Sequence, residues 1–222
     1  SSDLISGFPS NARNTRMLYD KGLITLEEAN HILIFTHFAN PVFILTTVSL
    51  FFFHNEKLGI ILLITHYFSN LILGIYFRNK IKCNDSNYND ITHNNFGNIF
   101  ISSIKKAIDT TITICGIVTV FLMLSSIIIN TFSLNSYNTM IVKGILEITI
   151  GIEALSNLPI SNCYKTVIAS MIIAFGGISV HIQVLSQITG TKIKYIYFFM
   201  GRMYQMLISG VLTYIICIVM GI

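Results

Sequence analysis

The sequence predicts an all-α, polytopic membrane protein: a transporter-like bundle with discontinuous helices and re-entrant hairpins. Three observations predict it. Of the 222 residues, 53% are hydrophobic and only 11% charged, with a mean hydropathy of +0.69, which leaves too little polar surface for an ordinary soluble domain. Several apolar stretches reach the roughly 20 residues needed to cross a hydrocarbon layer about 30 Å thick. Two apolar regions are also interrupted by glycine or proline beside small polar residues, at Ser6-Gly7-Phe8-Pro9-Ser10-Asn11-Ala12-Arg13 and at Phe175-Gly176-Gly177-Ile178-Ser179-Val180-His181-Ile182-Gln183. Irregular backbone survives at membrane depth only when buried in protein or lining a watery cavity.

The elements follow in order. Thr25 and Glu28 stand in the relation of a capping box, so a helix begins there, in water or at the interface. The first span, residues 31–53, is interrupted at Ala39-Asn40-Pro41, because proline lacks a backbone donor and clashes with the preceding turn. The kink leaves the Asn40 side chain for the loosened backbone or for a ligand. Residues 54–58 suffice only for a tight antiparallel connection to a second span at 59–77, and an Asn/Asp-rich polar loop runs from 78 to 98. Phe100, Ile101, Ile104 and Ile108 then align at helical spacing against Ser103, Lys105, Lys106 and Asp109, the pattern of an interfacial helix over 99–109. An uncharged span covers 110–130. Residues 140–158 read as a half-helix that carries Glu147 and Glu153 and ends at Pro159. Residues 163–187 read as a hairpin around the glycine pair, and 195–222 as the last span. Either of the segments 140–158 and 163–187 is a candidate re-entrant half-crossing.

Charge and repeat give conflicting orientations. Arg13, Arg16 and Lys21 precede the first span and Arg78, Lys80 and Lys82 follow the second, with only Lys57 between them, so the basic groups should face the cytoplasm. The net charge of +4 then reflects topology rather than a nucleic-acid partner. Lys192 and Lys194 should prefer the same side. Shifting the sequence by about 170 residues lays Gly7-Phe8-Pro9-Ser10 on Gly177-Ile178-Ser179-Val180, a repeat of architecture in the manner of secondary transporters. If that repeat is inverted, the Lys192 loop lies opposite the Lys21 loop.

Several function classes are excluded at this level. Cys83, Cys115, Cys163 and Cys217 show no CxxC spacing, so neither a disulfide framework nor a zinc knuckle is expected. His31, His37 and His66 share no ligand spacing, no His-Glu-x-x-His pattern occurs, and no glycine-rich phosphate loop is present. No enzyme activity, metal or cofactor is expected.

The polar positions inside apolar sequence are the candidate site. A helix that starts just after a break points free N–H groups and a partial positive charge into the cavity, where small anions and carboxylates bind. Gly7, Pro9, Ser10 and Asn11 in the first break, and Gly176, Gly177, Ser179, His181 and Gln183 in the second, are the substrate-binding candidates, with Asn40, Glu147 and Thr149 nearby. Glu147 has two readings, as a proton carrier or sodium ligand that couples transport, or as the partner of Lys143 one turn earlier. Gly176-Gly177 also has a packing reading, as small residues that let helices approach. His181 either carries protons or bonds a carbonyl as a neutral ring. Arg202 faces an anionic substrate or pairs with a carboxylate.

At these residues the chain resembles the sporulation integral membrane proteins of the YlbJ type, in the nucleoside-transporter/FeoB Gate-domain superfamily. The resemblance is carried by the Ser6–Arg13 motif, by Lys21-Gly22-Leu23-Ile24-Thr25 with Glu27-Glu28-Ala29, and by Ala39-Asn40-Pro41, His66-Tyr67, Ala107-Ile108-Asp109, Gly144 to Gly151 and, most specifically, Phe175 to Gln183. Asn11 stands where the family usually has glycine, and Asn40 where serine commonly precedes the proline. The resemblance implies two Gate-type repeats, over 1–98 and 99–222, with the first incomplete at its front. It implies movement of dipicolinic acid, a planar aromatic dicarboxylate, across the outer forespore membrane, with Phe8, Phe175 or tyrosines available to stack on the ring. A nucleoside or ion carrier, and a non-transporting membrane scaffold for spore assembly, are the alternatives.

Overall fold

The computed structural model describes residues 7, 9–78 and 96–222, and their regular elements are all helical. These are α1 (Ser10–Asp20), α2 (Leu26–Phe35), a π-helix (Phe43–Phe52), α3 (Glu56–Phe77), α4 (Phe96–Phe132), α5 (Ser136–Leu146), α6 (Ile148–Ser156), α7 (Asn162–Phe175), α8 (Gly177–Ile188) and α9 (Tyr195–Met220). Four helical runs are long and apolar enough to cross a membrane: Glu56–Phe77, Ser103–Phe132, Asn162–Ile188 and Tyr195–Met220. The chain is a polytopic helical membrane protein.

Most helix starts are set by their caps. Thr25 Oγ1 accepts from the Glu28 N–H at 3.2 Å while Glu28 Oε2 accepts from the Thr25 N–H at 2.6 Å, completing the capping box. Asn55, Asn135 and Ser161 cap α3, α5 and α7 more simply, each side-chain oxygen accepting from one backbone N–H, of Lys57, Asn138 and Tyr164. The first span breaks as expected: residues 36–40 are non-helical, and helix resumes at Pro41 and becomes π-helical from Phe43. A Cβ on Gly59 would come within 2.3 Å of Ser49, so only glycine lets α3 fold back this closely on the π-helix.

Three segments differ from the sequence expectation. The interfacial helix at 99–109 and the span at 110–130 are one continuous helix, α4, because the change at Thr110 from mixed to apolar sequence alters the surroundings and not the backbone. The half-helix at 140–158 is instead two helices that turn back on each other at Glu147, which is extended (φ −151°, ψ 134°). A Cβ on Gly151 would meet Gly144 Cα at 2.3 Å, so α5 and α6 run backbone against backbone. The re-entrant hairpin is therefore α5–α6. The segment at 163–187 is not a hairpin: α7 and α8 are joined through Gly176 without packing against each other, a bend within one crossing.

The element order recurs with a register different from the 170-residue shift. Glu147 follows Gly7 by 140 residues, and Gly177 follows Asn40 by 137. The series α1, α2, break, π-helix, α3 is repeated as α6, α7, break, α8, α9. Contacts recur in the same exchange: α1 packs on α2 as α6 packs on α7, and α1 meets α8 as α6 meets the π-helix. With this register the orientation conflict disappears. Arg16 Nη1 donates to the Gln187 and Thr189 carbonyls at 2.8 and 3.1 Å, and the Lys194 N–H donates to Asn30 Oδ1 at 2.8 Å. The Lys192 loop therefore lies at the same end of the bundle as Lys21, as their charges require.

The core is centred on α9, which packs along α7 and crosses α3 and α2. Leu33, Ile44, Ile152, Leu155, Ile173, Val184 and Phe198 are fully buried in it. Thr213 donates to Thr65 at 3.1 Å between α9 and α3. The outward faces of α3, α4 and α9 expose Ile, Leu, Phe and Val side chains to the lipid.

Candidate functional site

Four chain breaks come together as two pairs. Gly7 has φ +67°, and a Cβ there would lie 3.4 Å from Asn40 Cβ and N, so the first break rests on the break in the first span. Gly177 has φ +68°, and its Cβ would lie 3.2 Å from Glu147 Cα and N, so the glycine pair rests on the tip of the α5–α6 hairpin. Both positions have the left-handed backbone that favours glycine, and at Gly177 a Cβ would also be crowded by the hairpin tip. The two pairs are joined where α1 packs on α8 and α6 on the π-helix.

The helices that leave the first break and the glycine pair lack side-chain caps. Pro9 is the N-cap of α1 and Gly176 that of α8, and neither supplies an acceptor. In the first turn of each helix sits a buried polar group without a complete set of partners. Asn11 is 2% exposed; its amide donates to the Thr36 carbonyl, while its Oδ1 has no partner. Ser179 is fully buried and its Oγ has no partner. Two positive helix ends thus each carry a neutral polar atom held ready in a dry environment. Gln183, one turn beyond Ser179, is 4% exposed, and Ser10 is half-buried at the start of α1 with its N–H on the Gly7 carbonyl at 3.2 Å.

The remaining candidates are occupied by structure. Glu147 caps α6, with Oε2 accepting from the Ile150 N–H at 3.1 Å and Oε1 from Thr149 Oγ1 at 3.3 Å, and it forms no ion pair with Lys143. His181 Nε2 donates to the Phe175 carbonyl at 3.1 Å, a group left open by the end of α7, and its Nδ1 meets Tyr195 Oη at 2.6 Å. Since a carbonyl only accepts, this fixes the Nε2–H tautomer, with the Tyr195 hydroxyl donating to Nδ1. His181 braces the bend from inside a cage of Phe175, Phe198 and Phe199. Asn40 Oδ1 accepts from the Val42 N–H at 2.8 Å and so restarts the helix after Pro41.

Arg202 pairs with no carboxylate among the described residues. It is fully buried on α9 and donates to the His37 carbonyl at 2.8 Å, the Ile34 carbonyl at 3.3 Å, Asn70 Oδ1 at 3.2 Å and Gln205 Oε1. The Ile34 and His37 carbonyls belong to the C-terminal end of α2 and the open segment after it, which carry the negative end of the helix dipole. Asn70 also donates to the His37 carbonyl at 2.8 Å, Gln205 to the His66 carbonyl at 3.1 Å, and His66 Nε2 accepts from the Ala39 N–H at 2.9 Å. The guanidinium, Asn70 and His66 thus satisfy the unwound backbone, and Gln205 holds Arg202 against α3. Sequence reasoning missed this cluster. Its signal was the spacing of polar residues within apolar spans, His66 with Asn70 one turn apart on α3 and Arg202 with Gln205 on α9.

The break residues are closed in. Apolar clefts of about 630 and 350 Å³ open alongside them, one beside Phe35, Phe38 and Tyr67, the other beside Met140, Ile168, Phe175 and Met206.

Comparison with known proteins gives one curated relative, the sporulation integral membrane protein YlbJ of Bacillus subtilis (strain 168), which is 25% identical over an alignment of 240 positions. The alignment covers 91% of this chain and 59% of the relative, so the chain spans about three fifths of that protein's length. No family model and no solved structure matches. Over nearly its whole length, then, this chain is similar to a YlbJ-type sporulation integral membrane protein, in agreement with the motifs that suggested the resemblance.

Proposed function

We propose that this chain acts in sporulation as a non-enzymatic carrier that binds a small anionic metabolite between its helix breaks, and that the metabolite is dipicolinic acid at the outer forespore membrane. The observation that carries the reading is the pair of uncapped helix N-termini at Pro9 and Gly176, with a buried, unsatisfied polar atom two residues on in the first and three residues on in the second. Two positive helix ends suit the two carboxylates of a planar dicarboxylate, and Asn11 and Ser179 offer neutral hydrogen bonds to orient it. Glu147 already accepts from the backbone, so the coupling ion, a proton or sodium, acts at the hairpin tip as a modulator of its cap. The sporulation context rests on the relative's name alone.

Uptake of dipicolinate by vesicles that contain the complete protein tests the reading. Ser179→Ala and Gly177→Leu should each lower uptake at least about tenfold, the loss of one charge-assisted hydrogen bond or more. Uptake that is unchanged in both variants removes these residues from the mechanism. Competition by nucleosides and not by dicarboxylates would point instead to a nucleoside carrier. The buried, tightly packed state of the breaks favours a second reading, a membrane scaffold without transport, which predicts no uptake by any of the proteins.

A further inference from the structure

A cleft of about 570 Å³ lies between α1 and the basic end of α4, apart from the helix breaks. Arg13 and Arg16 of α1 and Lys21 at its C-cap line it, with Ser103 of α4 opposite, and the one carboxylate among the described residues of its wall, Asp20, is already engaged with Arg16 at 3.3 Å. Arg13 Nη1 donates to Thr110 Oγ1 at 3.0 Å, which ties α1 to α4 beside the cleft. Exposed Lys105 adds positive charge on α4, and exposed Lys192 lies in the loop that Arg16 holds; Asp109 of α4 is the exposed acid on that helix. Beside Ser103 the α4 surface is apolar and open, with Phe100, Ile104 and Ile108 all more than two-fifths exposed, and Met17 continues it on α1.

We propose that an anionic phospholipid seats its phosphate in this cleft, with its acyl chains laid along α4. Three features select that ligand. The cations outnumber the acids, the cleft is at the basic end of the bundle where headgroups lie, and the polar pocket runs directly into an apolar strip. A soluble phosphate would use the first feature and leave the strip bare. The proposal does not depend on the transported substrate, because none of the proposed substrate-binding residues lines the cleft, Arg13 being the last residue of the first break motif. Its consequence is mechanical: the lipid ties α4 to α1 and so steadies the helix whose N-terminus forms half of the proposed site.

The test is titration of the detergent-solubilised protein with short-chain phosphatidylglycerol and, separately, phosphatidylcholine, with binding read by native mass spectrometry. Phosphatidylglycerol should bind and phosphatidylcholine should not. The double variant Arg13→Gln/Lys21→Gln should weaken phosphatidylglycerol binding about 30-fold, while Lys57→Gln at the other end of the bundle leaves it unchanged. Asp20→Asn should tighten binding, a gain that misfolding cannot imitate. Equal binding of the two lipids, an unaffected double variant, or displacement by inorganic phosphate at the same concentration would each overturn the proposal.

Discussion

At the scale of single residues, Arg202 is the most consequential side chain outside the breaks. A buried guanidinium is costly unless its donors are met; here four acceptors meet Nη1 and Nη2 while the buried Nε has no partner, and the group in turn satisfies carbonyls that the open segment leaves bare. Arg202→Met should therefore lower stability by about 3 kcal/mol or more, read as a fall in the thermal midpoint in detergent. Arg202→Lys should recover only part of it, since an ammonium cannot reproduce the planar fork. A midpoint that is unchanged in the Met variant would mean that the open segment is held by other means. Part of this network was legible: an arginine in an apolar span demands partners. What the sequence hid was their nature, because backbone carbonyls that become acceptors when a helix unwinds leave no mark in a residue pattern.

At the scale of elements, the hairpin tip shows how a residue that stands out in the sequence can be given the wrong partner. Glu147 stands out as a carboxylate in apolar sequence, and Lys143 four residues earlier offers an ion pair on any continuous helix. The helix is not continuous. Glu147 is extended and its carboxylate takes the N-cap position, so Lys143 is carried to the other arm of the hairpin. The available signal was Gly144 and Gly151, small residues on either side of Glu147 whose backbones touch once the chain folds back. Replacement of the cap separates the roles. Glu147→Ala should cost about 1 kcal/mol of stability and Glu147→Gln much less, because an amide oxygen still accepts from the Ile150 N–H. If Gln is as damaging as Ala to transport while stability is kept, the charge itself is needed, and the carboxylate acts as an ion ligand. The breaks at Pro41 and Gly176 were legible for the opposite reason, since proline and glycine act on the backbone directly.

At the scale of the whole molecule, the register of the recurring elements decides the topology. Matching the two glycine motifs by composition gives a shift of 170 residues and a conflict with the charges. Matching the glycine before α1 to the tip of the α5–α6 hairpin and a broken span to a broken span gives 140 and 137, and the conflict vanishes. Sequence comparison between the halves could not find this, because the equivalent positions hold Gly7 and Glu147, residues that break a helix by different chemistry. The topology predicts that cysteines introduced at Lys21 and Lys192 react with an impermeant maleimide from one side of the membrane, and those at Lys57 and Asn157 from the other. Labelling of Lys21→Cys and Lys192→Cys from opposite faces would require a different arrangement.

The central claim is that the two uncapped helix starts serve one ligand, and alkylation protection tests it most directly. In a background whose native cysteines are replaced by serine, Asn11→Cys and Ser179→Cys are alkylated separately with and without dipicolinate. The account predicts that dipicolinate slows both reactions over the same concentration range, while a monocarboxylate of similar size protects less. Protection of one position alone, or of neither, would contradict a shared site.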